Sequence, residues 1–403
     1  MKSNLDNDDV RDRVIDIYSL KLDYENKVGK GKLGLGFKTA LVSTENSFDF
    51  HEGEAPNRIL VDTSSNDFTY DENVNAVYVT YDTPLNQKWS GQFGLRVENS
   101  ITRGELIALQ ESDNDLVERN FTDYFPNIGF SYQHDQKNQF QFSYGRRIDR
   151  PNYQNLNPFV YYINEYSFAT GDPFLRPQYT HNVQVSHTFA YRFNTTLKFS
   201  HTRDLNTRFT DLNPDIVNED GVVIGEIFTW RNLQTQRHYS LNFSAPFTPK
   251  EWWNTYTNIS LYRLENEGDY GDGKIVDIQA NAANIYMQHT FTLPKDFTLE
   301  FSGWANTPAI WGGNFETRSM WSVNAGIQKK LFNGNGTLKV GIDDIFQTSF
   351  WRAESTFGEL FTEGFGGWDS RRVKASFNYN FGNEKVKSRR RSTGLEDEKK
   401  RTD

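Results

Sequence analysis

Trp89-Ser90-Gly91-Gln92-Phe93-Gly94-Leu95-Arg96-Val97-Glu98-Asn99-Ser100-Ile101-Thr102 decides the fold class. One set of alternate positions carries Trp89, Phe93, Leu95, Val97 and Ile101, and the other carries Ser90, Gln92, Arg96, Glu98, Ser100 and Thr102. Side chains in a strand point alternately to opposite faces, so the stretch is a strand with one apolar and one polar face. At about 3.3 Å per residue it exceeds ~40 Å, longer than the hydrocarbon core of a bilayer requires and longer than most soluble strands.

The same alternation recurs outward in both directions. Tyr18, Leu20, Leu22 and Tyr24 oppose Ser19, Lys21 and Asp23, and Leu33, Leu35, Phe37 and Leu41 oppose Gly34, Gly36 and Lys38. Phe140, Phe142 and Tyr144, then Val183 and Val185, then Tyr239, Leu241 and Phe243, and finally Val373, Ala375, Phe377 and Tyr379 repeat it. About fifteen segments read this way, near 14–24, 32–44, 74–83, 89–103, 124–134, 138–147, 178–191, 193–204, 222–247, 251–264, 278–293, 297–307, 319–331, 336–347 and 371–382. Short connections (25–31, 84–88, 135–137, 192, 248–250, 294–296, 332–335) alternate with long ones (45–73, 104–123, 148–177, 205–221, 265–277, 308–318, 348–370). A meandering transmembrane barrel requires that alternation, with tight periplasmic turns and long extracellular loops, and a soluble sandwich or propeller does not. The predicted fold is therefore an all-β, antiparallel transmembrane β-barrel over residues 1–382, followed by a charged, flexible periplasmic extension over 383–403.

Composition agrees. Among 403 residues, 32 Phe, 20 Tyr and 9 Trp raise aromatics to 15%, a mixture that favours strands. Mean hydropathy is −0.73, and no window holds the 18 or more apolar residues of a spanning helix. Barrel strands hide their hydrophobicity from such an average because half of each strand faces the lumen. A net charge of −9 argues against a nucleic-acid partner. The absence of cysteine removes disulfides, thiol catalysis and Cys–metal sites. The first residues, acidic and polar, form no secretory signal.

The 148–177 connection carries the densest motif. Arg146-Arg147-Ile148-Asp149-Arg150-Pro151-Asn152-Tyr153 leads to Leu156-Asn157-Pro158-Phe159, and then to Gly171-Asp172-Pro173-Phe174-Leu175-Arg176-Pro177. This resembles the signature of the outer-membrane β-barrel family of TonB-dependent receptors, the Bacteroidota type in particular. Leu338 to Phe346, with Asp343-Asp344, and Arg371 to Gly382 fit the same likeness, which covers most of the chain from about residue 70 onward. The resemblance implies the C-terminal barrel portion of a receptor with about 22 strands, an upstream plug domain, and a TonB-box peptide that engages TonB. It also implies uptake of a solute across the outer membrane, contact with outer-membrane lipid, and room for a lipoprotein partner. The solute is not readable from these residues.

Pro151, Pro158, Pro173 and Pro177 each fix φ and withhold a donor, so they end strand pairing and stiffen the loop. The motif residues Arg147, Arg150, Tyr153, Leu156, Asn157, Phe159 and Gly171 either shape a solute-contacting surface or fold the loop against the wall. Tyr161, Tyr162 and Tyr166 either stack on a flat ligand or pack the loop's own core. The acidic runs Asp211 to Asp220 and Glu265 to Asp277 read as solvated loops, since neither has calcium-loop spacing. His181, His187 and His201 lack a ligand spacing, and Ser186-His187 and Ser200-His201 point to opposite faces, so neither pair forms a nucleophilic dyad. No catalytic, cofactor or metal residues are assigned.

Two alternatives to the receptor stand beside it: a porin, adhesin or scaffold barrel without energy coupling, and an outer-membrane hydrolase. The parity of short and long connections has the first strand entering from outside, so an odd number of strands is expected upstream, about seven in a 22-stranded barrel.

Overall fold

The computed structural model describes residues 8–52, 58–60, 65–108, 116–158, 160–271, 273–381 and 396–402. Fifteen long strands form one antiparallel meander. They are β1 (Asp8–Val28), β2 (Gly31–Glu52), β3 (Asn66–Pro84), β4 (Trp89–Ala108), β5 (Leu116–Gln133), β6 (Asn138–Asp149), β7 (Gln178–Phe189) and β8 (Phe193–Val217). The series continues with β9 (Val223–Lys250), β10 (Trp253–Asp269), β11 (Ile275–Leu293), β12 (Phe297–Asn306), β13 (Met320–Leu331), β14 (Gly336–Asp343) and β15 (Arg372–Tyr379). Each is hydrogen-bonded to the next, and the fifteen predicted segments fall on them in order. Among the described residues β1 pairs only with β2 and β15 only with β14.

Alternation sets the two faces. Leu35, Leu41, Val77, Val79, Phe93, Leu95 and Ile101 stand exposed on the outside, while Lys38, Ala40, Val42, Thr44, Glu98, Ser100 and Thr102 are buried on the inside. Glycine matters where inner side chains lie flat across neighbouring strands. A Cβ at Gly36 would sit 2.1 Å from the Tyr78 ring, whose hydroxyl instead reaches Asp23. At the short-turn rim, aromatic rings pair across strands: Trp89 with Tyr132 (4.6 Å), Phe140 with His187 (4.5 Å), Trp253 with Phe291 (5.9 Å) and Phe332 with Tyr379 (5.8 Å). Such a girdle marks a water–hydrocarbon boundary. The tight turns are tied by Asn86 and Asp135, whose side-chain oxygens accept from the N–H groups of Lys88 and Trp89, and of Lys137 and Asn138.

The expected long loops are largely strand. β2 continues to Glu52, β4 to Ala108, and β8 and β9 meet across only 218–222, so most of 45–73, 104–123, 205–221 and 265–277 extends the ladder. Outside hydrocarbon neither face must be apolar, so the alternation fades while the backbone pairing persists. The acidic runs are corrected with them: Asp211 is buried between Arg231 (3.0 Å) and Lys274 (2.8 Å), and Asn266 is fully buried.

Two packages fill the long-connection end. The 150–177 loop turns inward, and its Leu156 and Leu175 pack on Phe68 of β3 with Trp230 beside them. In the other package, Ala309–Trp311, Phe315–Thr317, Phe350–Phe357 and Leu360–Gly367 make a small four-stranded sheet. Between them lies a tongue. Pairing of β8 with β7 stops at Arg203 and pairing of β9 with β10 stops at Thr235, so 205–217 and 223–233 run on together as a hairpin. Its Phe209 and Leu233 pack on Val276 and Phe357, and its Trp230 joins the first package.

Asp344, in the stretch singled out by sequence, anchors the second package. It has φ 44° and receives hydrogen bonds from the N–H groups of Thr348 (3.0 Å) and Ser349 (3.1 Å) and from Ser370 Oγ (2.6 Å). Burial opposes ionisation, but the bonds from Ser370, Thr348 and Ser349 outweigh it and hold the carboxyl well below the usual carboxylate range.

A carboxyl whose folded pKa is depressed contributes stability above its unfolded value of about 4 and loses it as pH falls through the folded value. Protection of the Thr348 and Ser349 amides, relative to their intrinsic exchange rate at each pH, should therefore hold from pH 7 to 5 and fall progressively below about pH 4. In Asp344→Asn protection should be low throughout, and strong protection in that variant at pH 7 would refute the anchor. The face assignment predicts that Leu95→Cys reacts with a bilayer-restricted thiol reagent and Arg96→Cys with a water-soluble one, and the reverse outcome would shift the register by one residue.

Candidate functional site

Arg150 is the centre of the inward-turned loop. Its guanidinium lies between two carboxylates brought together by strand register, since Glu72 on β3 pairs with Thr102, and Glu98 on β4 pairs with Ala76. It lies 3.5 Å from Glu72, bonds Glu98, and donates to Ser100 Oγ at 2.7 Å. Glu98 also holds Arg96. Glu72 and Glu98 side chains are 1% and 3% exposed, so each needs a cation beside it to remain charged.

Around this cluster the motif has an identifiable physical cause. Tyr153, which opens the short helix Tyr153–Leu156, is buried 3.5 Å from Glu72, and burial pushes its phenol up. A Cβ at Gly171 would lie 2.3 Å from Asn157 O and 2.6 Å from Asn155 O; instead its N–H donates to Asn157 O at 3.0 Å. Thr170 Oγ1 donates to Pro158 O. Pro151, Pro173 and Pro177 line the small inner cavity beside Leu175. Arg119 on β5 donates to the carbonyls of Phe174 and Leu175, satisfying loop backbone that has no strand partner.

Residues 383–403 read as a solvated extension, yet the described part, 396–402, docks on this cluster. Arg401 stacks over Tyr153 (4.3 Å), bonds Glu72, and donates to Pro151 O (3.0 Å). Burial opposes the charge on Arg401, but Glu72 outweighs it and raises its pKa. Glu398 is held by Lys38 at 2.8 Å.

A cavity of about 470 Å³ opens beside the cluster, between β1–β2, the motif loop and the tongue. Tyr161 lines it, with Asn46, Asn155, Arg208, Phe228 and Trp230. The other sequence candidates fall elsewhere. Arg147 is exposed on β6, Tyr166 is exposed with its carbonyl bonded to Glu226 N–H, and the Tyr162 backbone pairs with Phe168 while its side chain lies outside what the structure describes. Phe159 lies outside the described residues. The first limb of the tongue, 205–217, was expected to be loop because it lacks the lipid-facing alternation that flags a strand; the second, 223–233, lies in the strand segment read at 222–247, but nothing in that pattern says it leaves the wall. Ser186 and Ser200 bond Thr196 and Asn182 rather than histidine, and among the described residues no three acidic or histidine side chains converge as metal ligands.

Leaving a buried charge wholly unpaired costs about 3–5 kcal/mol; removing Arg150 costs less than that, because Glu98 keeps Arg96 and Glu72 keeps Arg401, but it cuts the ties of the loop itself. Arg150→Met should thus lower the temperature of the heat-modifiable gel shift and open 150–177 to protease, and an unchanged digestion pattern would refute the clamp.

No curated protein sequence matches the chain. Its fold is similar to that of the ferric yersiniabactin uptake receptor FyuA from Yersinia pestis, with TM-score 0.62, 11% identity, and coverage of 94% of this chain and 56% of that one. The copper transporter OprC (0.61, 12%, 92% and 58%) and the ferric citrate transporter FecA (0.61, 11%, 94% and 56%) are similar in the same way. At such identity the likeness is one of fold, and the chain spans a little over half the length of these structures. The profile of the outer membrane protein β-barrel family matches residues 2–379; the chain belongs to that family, and its place is the outer membrane.

Proposed function

We propose that this chain forms the wall and mouth of an outer-membrane receptor that takes up a solute with energy relayed by TonB. The observation that carries the reading is the chamber at the long-connection end. Motif loop, tongue and strand ends line it with polar and aromatic side chains, while the outward faces of the strands that carry it turn apolar lower in the wall. An open recess of small-molecule size, lined by aromatic and polar groups, suits a receptor that captures solute before passage better than a passive pore. The fold shared with structures described as uptake receptors and transporters supports it.

In this reading the short turns and the end of β15 face the periplasm, and the mouth faces outward. A plug contributed from outside this chain gates passage and contacts TonB. The outer sides of β1 and β15, which have no strand partner among the described residues, are completed by further strands, because hydrocarbon offers no other partner for their N–H and C=O groups. No catalytic step is required of any residue.

The test is genetic. A strain lacking this chain, grown with single carbon or iron sources at limiting concentration, should fail on one source. The failure should be reproduced by deleting TonB. Growth on that source that depends on this chain but not on TonB would show passive passage and overturn energy coupling.

A further inference from the structure

The cavity beside the clamp has a chemistry of its own. Its volume, about 470 Å³, lies within the roughly 300–1,000 Å³ range of small-molecule pockets. Two arginines, Arg13 and Arg208, line it, and among the described residues no carboxylate does, in a chain of net charge −9. The Arg208 guanidinium carbon sits over the Phe228 ring, 4.8 Å from its centroid, a cation–π contact that restrains it. Among the described residues it has no acidic partner, whereas Arg150, Arg176, Arg231 and Arg237 at the same end all have one.

The remaining lining fits a hydroxylated ring. Trp230 packs against the Phe68–Leu156–Leu175 cluster and lines the cavity. Tyr161, on the loop hairpin, lines it too. The side-chain amides of Asn46 and Asn155 line the same space and make no hydrogen bond among the described residues. Flat aromatic faces take the C–H faces of a pyranose, amides take its hydroxyls, and a forked guanidinium takes a planar or tetrahedral anion.

We propose that this cavity is a subsite for an anionic, hydroxylated ring, a saccharide bearing a carboxylate or a sulfate. The proposal rests on the uptake reading of the same chamber and adds the class of solute.

The test uses the complete native protein that carries this chain, purified from outer membranes in detergent micelles, with tryptophan fluorescence and calorimetry. The probes are digalacturonate, a sulfated disaccharide, neutral cellobiose and sodium sulfate. One or both acidic sugars should bind, and which one does identifies the anion. Cellobiose should bind at least roughly tenfold more weakly, as loss of a charge-assisted hydrogen bond implies. Arg208→Gln should bring the acidic sugar down to the cellobiose level, and Trp230→Phe should weaken both sugars alike. The heat-modifiable gel shift serves as the folding control for each variant. Binding of neither acidic sugar, equal binding of cellobiose, competition by sulfate alone, or an Arg208→Gln variant with unchanged affinity would overturn the proposal. Binding on the purified protein without import in cells would overturn the uptake reading and leave the subsite standing. Import of an unrelated solute without acidic-sugar binding would overturn the subsite alone.

Discussion

A backbone N–H or C=O in hydrocarbon has no partner except another strand, and nearly everything in this molecule follows from keeping that ladder continuous. The wall is a meander because successive antiparallel strands satisfy one another at the lowest cost in connecting chain. The ladder does not stop where hydrocarbon does. β8 and β9 run on past their neighbours as the tongue, and β2, β4 and β5 run on into what composition marks as loop. Where the ladder does break, beside the 150–177 loop, arginine side chains take over. Arg119 covers the carbonyls of Phe174 and Leu175, and Arg146 covers that of Tyr124.

Continuity of the ladder also places charge. Once β3 and β4 are in register, Glu72 and Glu98 lie on one inner face a few residues apart along the wall. Two buried carboxylates that close need cations, and the chain supplies Arg150 from the motif loop, Arg96 from β4 and Arg401 from the C-terminal segment. The clamp ties the loop to the wall, and the loop in turn holds the tongue through Trp230, Arg176 and Asn232. The chamber is therefore a consequence of register, not of loop sequence alone.

The two packages at the mouth use different physics for the same end. The first is fastened by paired charges and proline-stiffened backbone. The second is fastened by one carboxylate, Asp344, that gathers donors from Thr348, Ser349 and Ser370, and by the Phe209–Leu233–Val276–Phe357 cluster. A mouth that must admit solute benefits from elements held by a few strong local contacts, since each can release without unravelling the wall.

Alternation in the sequence by itself determined the fifteen wall strands, their order and which side of each faces outward, because in a bilayer each strand must solve its own two-faced environment locally. The motif likewise marked the loop that folds inward, and Gly171 and the prolines carry local backbone reasons visible in one dimension. Only the tertiary structure decided that 205–233 is a tongue, that 396–402 docks on Glu72 and Tyr153, and that Arg208, Trp230 and Asn155 share a cavity. Outside hydrocarbon neither face of a strand must be apolar, so the local signal disappears. What remains is the accumulated register of many strands, which sets which distant residues meet and has no signature in any single stretch of sequence.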